Sequence, residues 1–156
     1  SFPLSGYSAL NPVNMPAPDL LYSDDSGERD SHGMTVTKHE RYVWVLDRAI
    51  NVAEIFDTET GANINTVNLN EGAPAGLAPD LADRSPSGNR IFVSLRGPNP
   101  LSGDPHVSTG STPGLGVIQV KEGGVTGVLK SIVPIHNIDA GGIERADAHG
   151  IRVRLK

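Results

Sequence analysis

The chain has 156 residues, enough for one sizeable core. It carries 18 Gly, 12 Pro and no Cys, so a disulfide scaffold, thiolate chemistry and Cys-ligated metal are excluded. The formal charge of -5 is mild, and the only basic grouping, Arg152, Arg154 and Lys156, alternates along one strand-like run, so there is no electrostatic footprint for nucleic acid.

High Gly and Pro with short β-branched runs point to an all-β fold rich in turns. No window shows a long 3.6-residue apolar period. No apolar run reaches 18 residues, so no membrane span is expected, and no signal peptide is read at the start. The chain begins at Ser1 without Met, which leaves room for a leader or a larger N-terminal part.

Residues 1–29 read as a loop or extended tail, broken by Pro3, Pro12, Pro16 and Pro18. The acidic run Asp24 to Asp30 lacks the ligand spacing of a calcium loop and reads as a solvated turn. Four short strands follow: Met34–Thr37, Arg41–Leu46, Asn51–Asp57 and Asn63–Leu69. The second is almost continuously apolar, as in strands buried on both faces. Residues 30–78 thus form one four-stranded unit.

The pattern restarts. Arg84 to Leu95 repeats the turn and second strand, with Pro86-Ser87-Gly88 in place of Lys38-His39-Glu40. Leu115–Val120 and Val128–Ile135 read as the third and fourth strands. Residues 79–146 form the second unit, interrupted by an insertion at 97–114, a length usual for functional or mobile loops. A third copy begins at Asp147-Ala-His-Gly-Ile-Arg-Val153, nearly repeating Asp30-Ser-His-Gly-Met-Thr-Val36. Residues 147–156 are expected to be the inner strand of a further blade.

Repeated four-stranded units are the signature of β-propeller blades, which need neighbours on both faces. Two blades and one strand do not close a ring of about four to eight blades. The expectation is a partial propeller completed by the remainder of the same protein or by further copies.

Ser85-Pro-Ser-Gly-Asn-Arg-Ile-Phe-Val-Ser94 and Phe56-Asp-Thr-Glu-Thr-Gly61 resemble the repeats of the YVTN-type β-propeller family. The resemblance spans about residues 30–156. It implies a propeller, an extracellular or periplasmic setting, and relatives that include lactonase-like and electron-transfer propellers. Lys38-His39-Glu40 and the insertion depart from the pattern.

Aligning the units places His32 and His149 at one repeated position before the innermost strand, together with Asp80 or, if the gap in the turn is set one residue differently, Leu81; in a propeller this position rings the mouth of the central channel. Imidazole plus carboxylate is a ligand set for one divalent metal ion, or for acid–base work. Asp30 and Asp147 could orient the imidazoles. The competing reading is that these residues serve blade packing, with Asp30 and Asp147 in local turns and Gly33 and Gly150 as tight-turn residues. His39 reads as solvent-exposed, His106 as a loop residue, and His136 shows no partner. There is no serine elbow, phosphate loop or dinucleotide Gly pattern. The leading functional expectation is a binding or scaffold propeller holding a protein or small-molecule ligand on its loop-bearing face. The alternatives are a metal-dependent enzyme, lactonase-like or oxidoreductase, with its site in the channel, and a structural cell-surface module.

Overall fold

The computed structural model describes residues 19–23, 27, 29–70, 76–101 and 109–154. Among them lie eight strands in two four-stranded antiparallel sheets. The first holds β1 (Ser31–Val36), β2 (Tyr42–Asp47), β3 (Val52–Asp57) and β4 (Asn63–Asn68), in chain order. The second holds β5 (Pro79–Arg84), β6 (Arg90–Leu95), β7 (Gly114–Lys121) and β8 (Thr126–Pro134), again in chain order. A short 3-10 turn at Glu122–Gly124 joins the last two.

Each meander follows from its turns. Asp57 accepts from the Glu59 and Thr60 amides at 2.9 and 3.1 Å and closes the β3–β4 turn, with Gly61 at φ 72°. Arg41 pairs with both Asp57 and Glu59. In the second unit Gly88 takes φ 78° in the β5–β6 turn. Its counterpart in the first unit is Glu40, forced to φ 58°. That conformation suits Gly and strains a side-chain-bearing residue.

The two sheets pack face to face. Trp44, Leu46, Ala53, Ile55, Val67 and Leu69 of the first unit meet Leu77, Ile91, Val93, Leu95 and Ile118 of the second. Contact is densest between β1 and β5 and thins towards β4 and β8, so the sheets splay from a common inner edge. That is the arrangement of two adjacent propeller blades, and it makes β1 and β5 the inner strands. Trp44 is fully buried and donates its indole N–H across the interface to the Gly124 carbonyl at 2.8 Å. Asn65 donates to the Val125 carbonyl at 2.9 Å, and the Ala78 amide donates to Asn51 at 2.8 Å.

Several expectations need correction. The inner strand starts at Ser31 rather than Met34, so His32 lies within β1 and Asp80 within β5. Both sit where the ladder register shifts, a bulge between Ser31 and Gly33 and between Pro79 and Ala82. Gly33 is not a tight-turn residue. A Cβ there would overlap the Asp80 carbonyl, so glycine permits the close approach of β1 to β5. The long connection ends at Pro113, since Gly114 already pairs in β7. Strand β2 is fully covered on the side facing the second blade, through Trp44 and Leu46, while Val43 and Val45 on the other side are half-buried. Residues 147–154 form no ladder, for want of a paired neighbour among the described residues. They are docked on the second blade by Ser94, whose hydroxyl donates to the His149 carbonyl, and by Asp83, which accepts from the Val153 amide. Ile151 and Val153 turn inward, whereas Arg152 and Arg154 turn out.

The tail up to residue 18, most of the acidic run (Asp24, Asp25, Ser26, Glu28) and His106 lie outside the described residues. Among the described residues no helix is long and apolar enough to cross a membrane.

Candidate functional site at the channel mouth

In an antiparallel meander the first-to-second and third-to-fourth turns share one face of a blade. The remaining connections share the other. Here the first face carries tight turns, at 37–41, 58–62, 85–89 and 122–125. The opposite face carries 48–51, the described ends of the two longer connections (69–70 and 76–78, 96–101 and 109–113) and residues 135–149, together with the starts of β1 and β5.

On that second face both blades and the segment after β8 meet at Asp80. This carboxylate is fully buried. His32, from the first blade, sets its Nδ1 against Asp80 Oδ1. His149, from the third unit, brings its Nδ1 to 3.1 Å from Oδ2 and its Nε2 to 3.2 Å from Asp147. Both imidazoles are roughly half-exposed, at 42% and 45%.

Beneath the imidazoles runs an alternating line of charge. Arg48 holds Asp30 through two bonds of 2.9 Å, and Arg96 holds Asp147 at 2.6 and 2.8 Å. Each guanidinium also places Nη1 3.5 Å from Asp80 Oδ2. Neither distance is a hydrogen bond. Asp80 Oδ2 and Arg96 Nη1 are both buried without a hydrogen-bond partner. Burial pulls the Asp147 carboxyl upward, but the Arg96 guanidinium and the Gly97 amide hold it below the usual carboxylate range. The order Asp30, Arg48, Asp80, Arg96, Asp147 leaves one carboxylate in excess.

His32, Asp80 and His149 are therefore brought together, and hydrogen bonding supports the repeat alignment. The Thr37 and Ser85 amides donate to Tyr42 and Arg90, and the Arg48 and Arg96 amides donate to Asp30 and Ala78. These matched bonds align His32 with Asp80. Their ring nitrogens, however, face carboxylate oxygens. Among the described residues no three His, Asp or Glu side chains are arranged to hold a metal ion. Asp147 does meet His149, as expected of an orienting carboxylate, whereas Asp30 gives its oxygens to Arg48. The two arginines are what sequence reading missed. Their signal was available, since each directly follows the second strand of its unit.

Beside the cluster lies an open cleft of about 480 Å³, lined by Leu101 at the base of the long connection, Ile135, Asn137, Asp147 and His149. The connection after β8 is pinned along it. Asp139 accepts from the Gly141 and Ile143 amides, and Arg145 pairs with it at 2.9 Å. Glu144 accepts from the Ala146 and Asn137 amides and from His136, which hold its carboxyl down at about 2. His136 thus has a partner, contrary to expectation. A second cleft, of about 430 Å³, lies between Leu20–Tyr22 and Phe56, where the Arg29–Glu54 ion pair of 2.7 Å closes its floor.

No family model matches the sequence, and no curated protein matches it. Among solved structures the chain is similar to a putative 6-phosphogluconolactonase from Bacteroides uniformis, with a TM-score of 0.53 at 17% identity, over 84% of this chain and 36% of that one. It is also similar to the β-propeller domain of Cps50 (Swd1) from Myceliophteria thermophila, with a TM-score of 0.43 at 11% identity, over 60% of this chain and 23% of that one. The chain thus spans little more than a third of the first and under a quarter of the second. At such identities the likeness concerns fold alone.

Proposed function

We propose that this chain is part of a ligand-binding β-propeller, with recognition on the face that carries the channel mouth. One observation carries the reading: the imidazoles, the excess carboxylate, the 480 Å³ cleft and the described ends of the 96–113 connection all lie on one face. Among the described residues the other face has only tight turns. Concave sites with a few convergent polar groups are the usual form of a small-molecule site. The Ser85–Ser94 and Phe56–Gly61 motifs favour membership in the YVTN-type repeats, and with it an extracellular or periplasmic setting. The rest of the ring comes from the remainder of the same protein or from further copies.

A second reading is a divalent ion held by His32, Asp80 and His149 in a lactonase-like or oxidoreductase propeller. It draws on the ligand chemistry of those residues and on the excess carboxylate. The present ring orientations favour the first reading.

The test is an amide-shift screen of the intact chain with sugar acids, small amines and Zn²⁺ as separate probes. Binding on this face shifts Leu101, Asn137, Asp147 and His149. A Zn²⁺ response confined to His32 and His149 selects the second reading. Shifts confined to residues 38–41 and 86–89, or none, contradict both.

A further inference from the structure

We propose that the cleft of about 480 Å³ beside the channel mouth binds a carboxylate carried on an apolar body, with Arg145 as its main donor. This rests on the reading of the channel-mouth face as the ligand-binding one, and adds the class of ligand.

The chain after β8 builds one wall of this cleft by folding back on itself. Ile138 bridges to Glu144, and the Arg145 amide donates to the Asn137 carbonyl at 2.8 Å, so Asn137 and Arg145 stand side by side. Asp139 makes the turn between them, accepting from the Gly141 and Ile143 amides, with Gly142 at φ 79°. Leu101, Ile135, Ala146 and Ala148 supply the apolar lining, and Leu101 and Ile135 are both well exposed. Covering such a surface is favourable.

The sign of the ligand follows from which polar groups are already engaged. The carboxylates around the cleft are. Asp139 accepts from two amides on Oδ1 and from Arg145 Nε on Oδ2. Glu144 accepts from the Asn137 and Ala146 amides on Oε1 and meets His136 on Oε2. Asp147 accepts from Arg96 Nε and the Gly97 amide on Oδ1 and from Arg96 Nη2 on Oδ2. Donors are left over. Arg145 engages only Nε, and among the described residues nothing partners its Nη1 and Nη2, nor the side-chain amide of Asn137. Engaged acceptors beside open donors call for a ligand that accepts. A guanidinium with two open nitrogens matches a carboxylate, through two parallel bonds. Asp139 fixes the guanidinium and offsets part of its charge. The apolar lining must therefore contribute to affinity, which favours an acid with an apolar body over a bare anion or a polyhydroxy acid.

The experiment is an amide-shift titration of the intact chain at neutral pH with hexanoate, acetate, gluconate and hexylamine as separate probes. Hexanoate should shift Leu101, Asn137 and Ala146 and bind about tenfold or more tightly than acetate or gluconate. Arg145→Gln should weaken hexanoate by about tenfold or more, and Arg145→Lys, which keeps the charge and loses the fork, should recover part of that loss. Arg152→Gln, on a side chain 90% exposed and outside the cleft, should change nothing. Leu101→Ser, at an exposed position that folding does not need, should weaken hexanoate and leave acetate unchanged. The near-ultraviolet signal of Trp44 checks the fold of each variant. Binding of acetyl-leucine but not of its amide would support the same chemistry, and its affinity relative to hexanoate separates a peptide chain end from a free acid. Hexylamine binding as tightly as hexanoate, or wild-type affinity in Arg145→Gln, overturns the proposal. Gluconate or hexylamine shifts on this face without a hexanoate response would remove the apolar acid and leave the binding reading standing. No response on this face to any probe contradicts both.

Discussion

The two blades share a ladder and differ at their ends. In the first, β2 and β3 are joined by residues 48–51. In the second, the same connection runs from 96 to 113. In the first, the bulge of the inner strand carries His32; in the second it carries Asp80. The first turns at Glu40 where the second turns at Gly88. Yet the charge line is common to both, since Arg48 and Arg96 follow β2 and β6 and each reaches Asp80. The comparison teaches that packing fixes the ladder and its arginines, while the bulge residue and the second connection are free to vary. Variation on one face of an otherwise repeated unit is where recognition is built.

The comparison breaks most readily at the blade interface. Trp44 and Phe92 occupy matched positions, but Trp44 is fully buried against the second blade and Phe92 is half-buried. Trp44→Ala should cost about 3–5 kcal/mol in urea unfolding, from the cavity and the lost bond to Gly124, and Phe92→Ala about half as much. Equal losses would mean that the interface does not depend on Trp44.

Next in size is the contrast between two carboxylates of the charge line. Asp80→Asn leaves the nearby edges of Arg48 and Arg96 without their countercharge and should cost about 3 kcal/mol. Asp30→Asn, at a partly exposed position, should cost about 1 kcal/mol. A reversed order would place the keystone of the line elsewhere.

The turns give a smaller and opposite pair of effects. Glu40→Gly relieves a left-handed φ and should stabilise by about 1 kcal/mol, whereas Gly88→Ala imposes one and should destabilise by a similar amount.

These differences were unequally legible in the sequence. Apolar alternation and turn residues marked seven of the eight strands to within a few residues of their ends, and Pro86-Ser87-Gly88 announced its turn. The inner strand of the second blade was harder to see, because Pro79-Asp-Leu-Ala-Asp-Arg84 has neither a β-branched run nor strict alternation. The repeat of His32 in His149 marked the two imidazoles that meet at Asp80. What the sequence could not convey was docking. That Asp80 meets an imidazole from the preceding blade and another from the segment after β8 depends on how the sheets splay, which no local period encodes. Arg48 and Arg96 drew no reading from the sequence, and burial between blades is what shows them as ties.

The smallest effect concerns the rim of the cleft. Glu144 is held at about 2, against an ordinary 4.5, by the Ala146 and Asn137 amides and by His136. A depressed folded value means that its contribution is complete above about 4.5 and disappears as pH falls through about 2. The amide shifts of Asn137 and Ala146 should follow that titration, while those of the Trp44 interface should not. A midpoint near 4.5 would show that the pinning is absent.

The central claim is that Asp80 holds the His32 imidazole through its Nδ1, and the ring tautomer reports it directly. Long-range ¹H–¹⁵N correlation spectra of the intact chain should show neutral His32 protonated on Nδ1, with Nε2 bare, and Asp80→Asn should abolish that preference in a variant that keeps its fold. A His32 protonated on Nε2, unchanged by Asp80→Asn, would contradict the account.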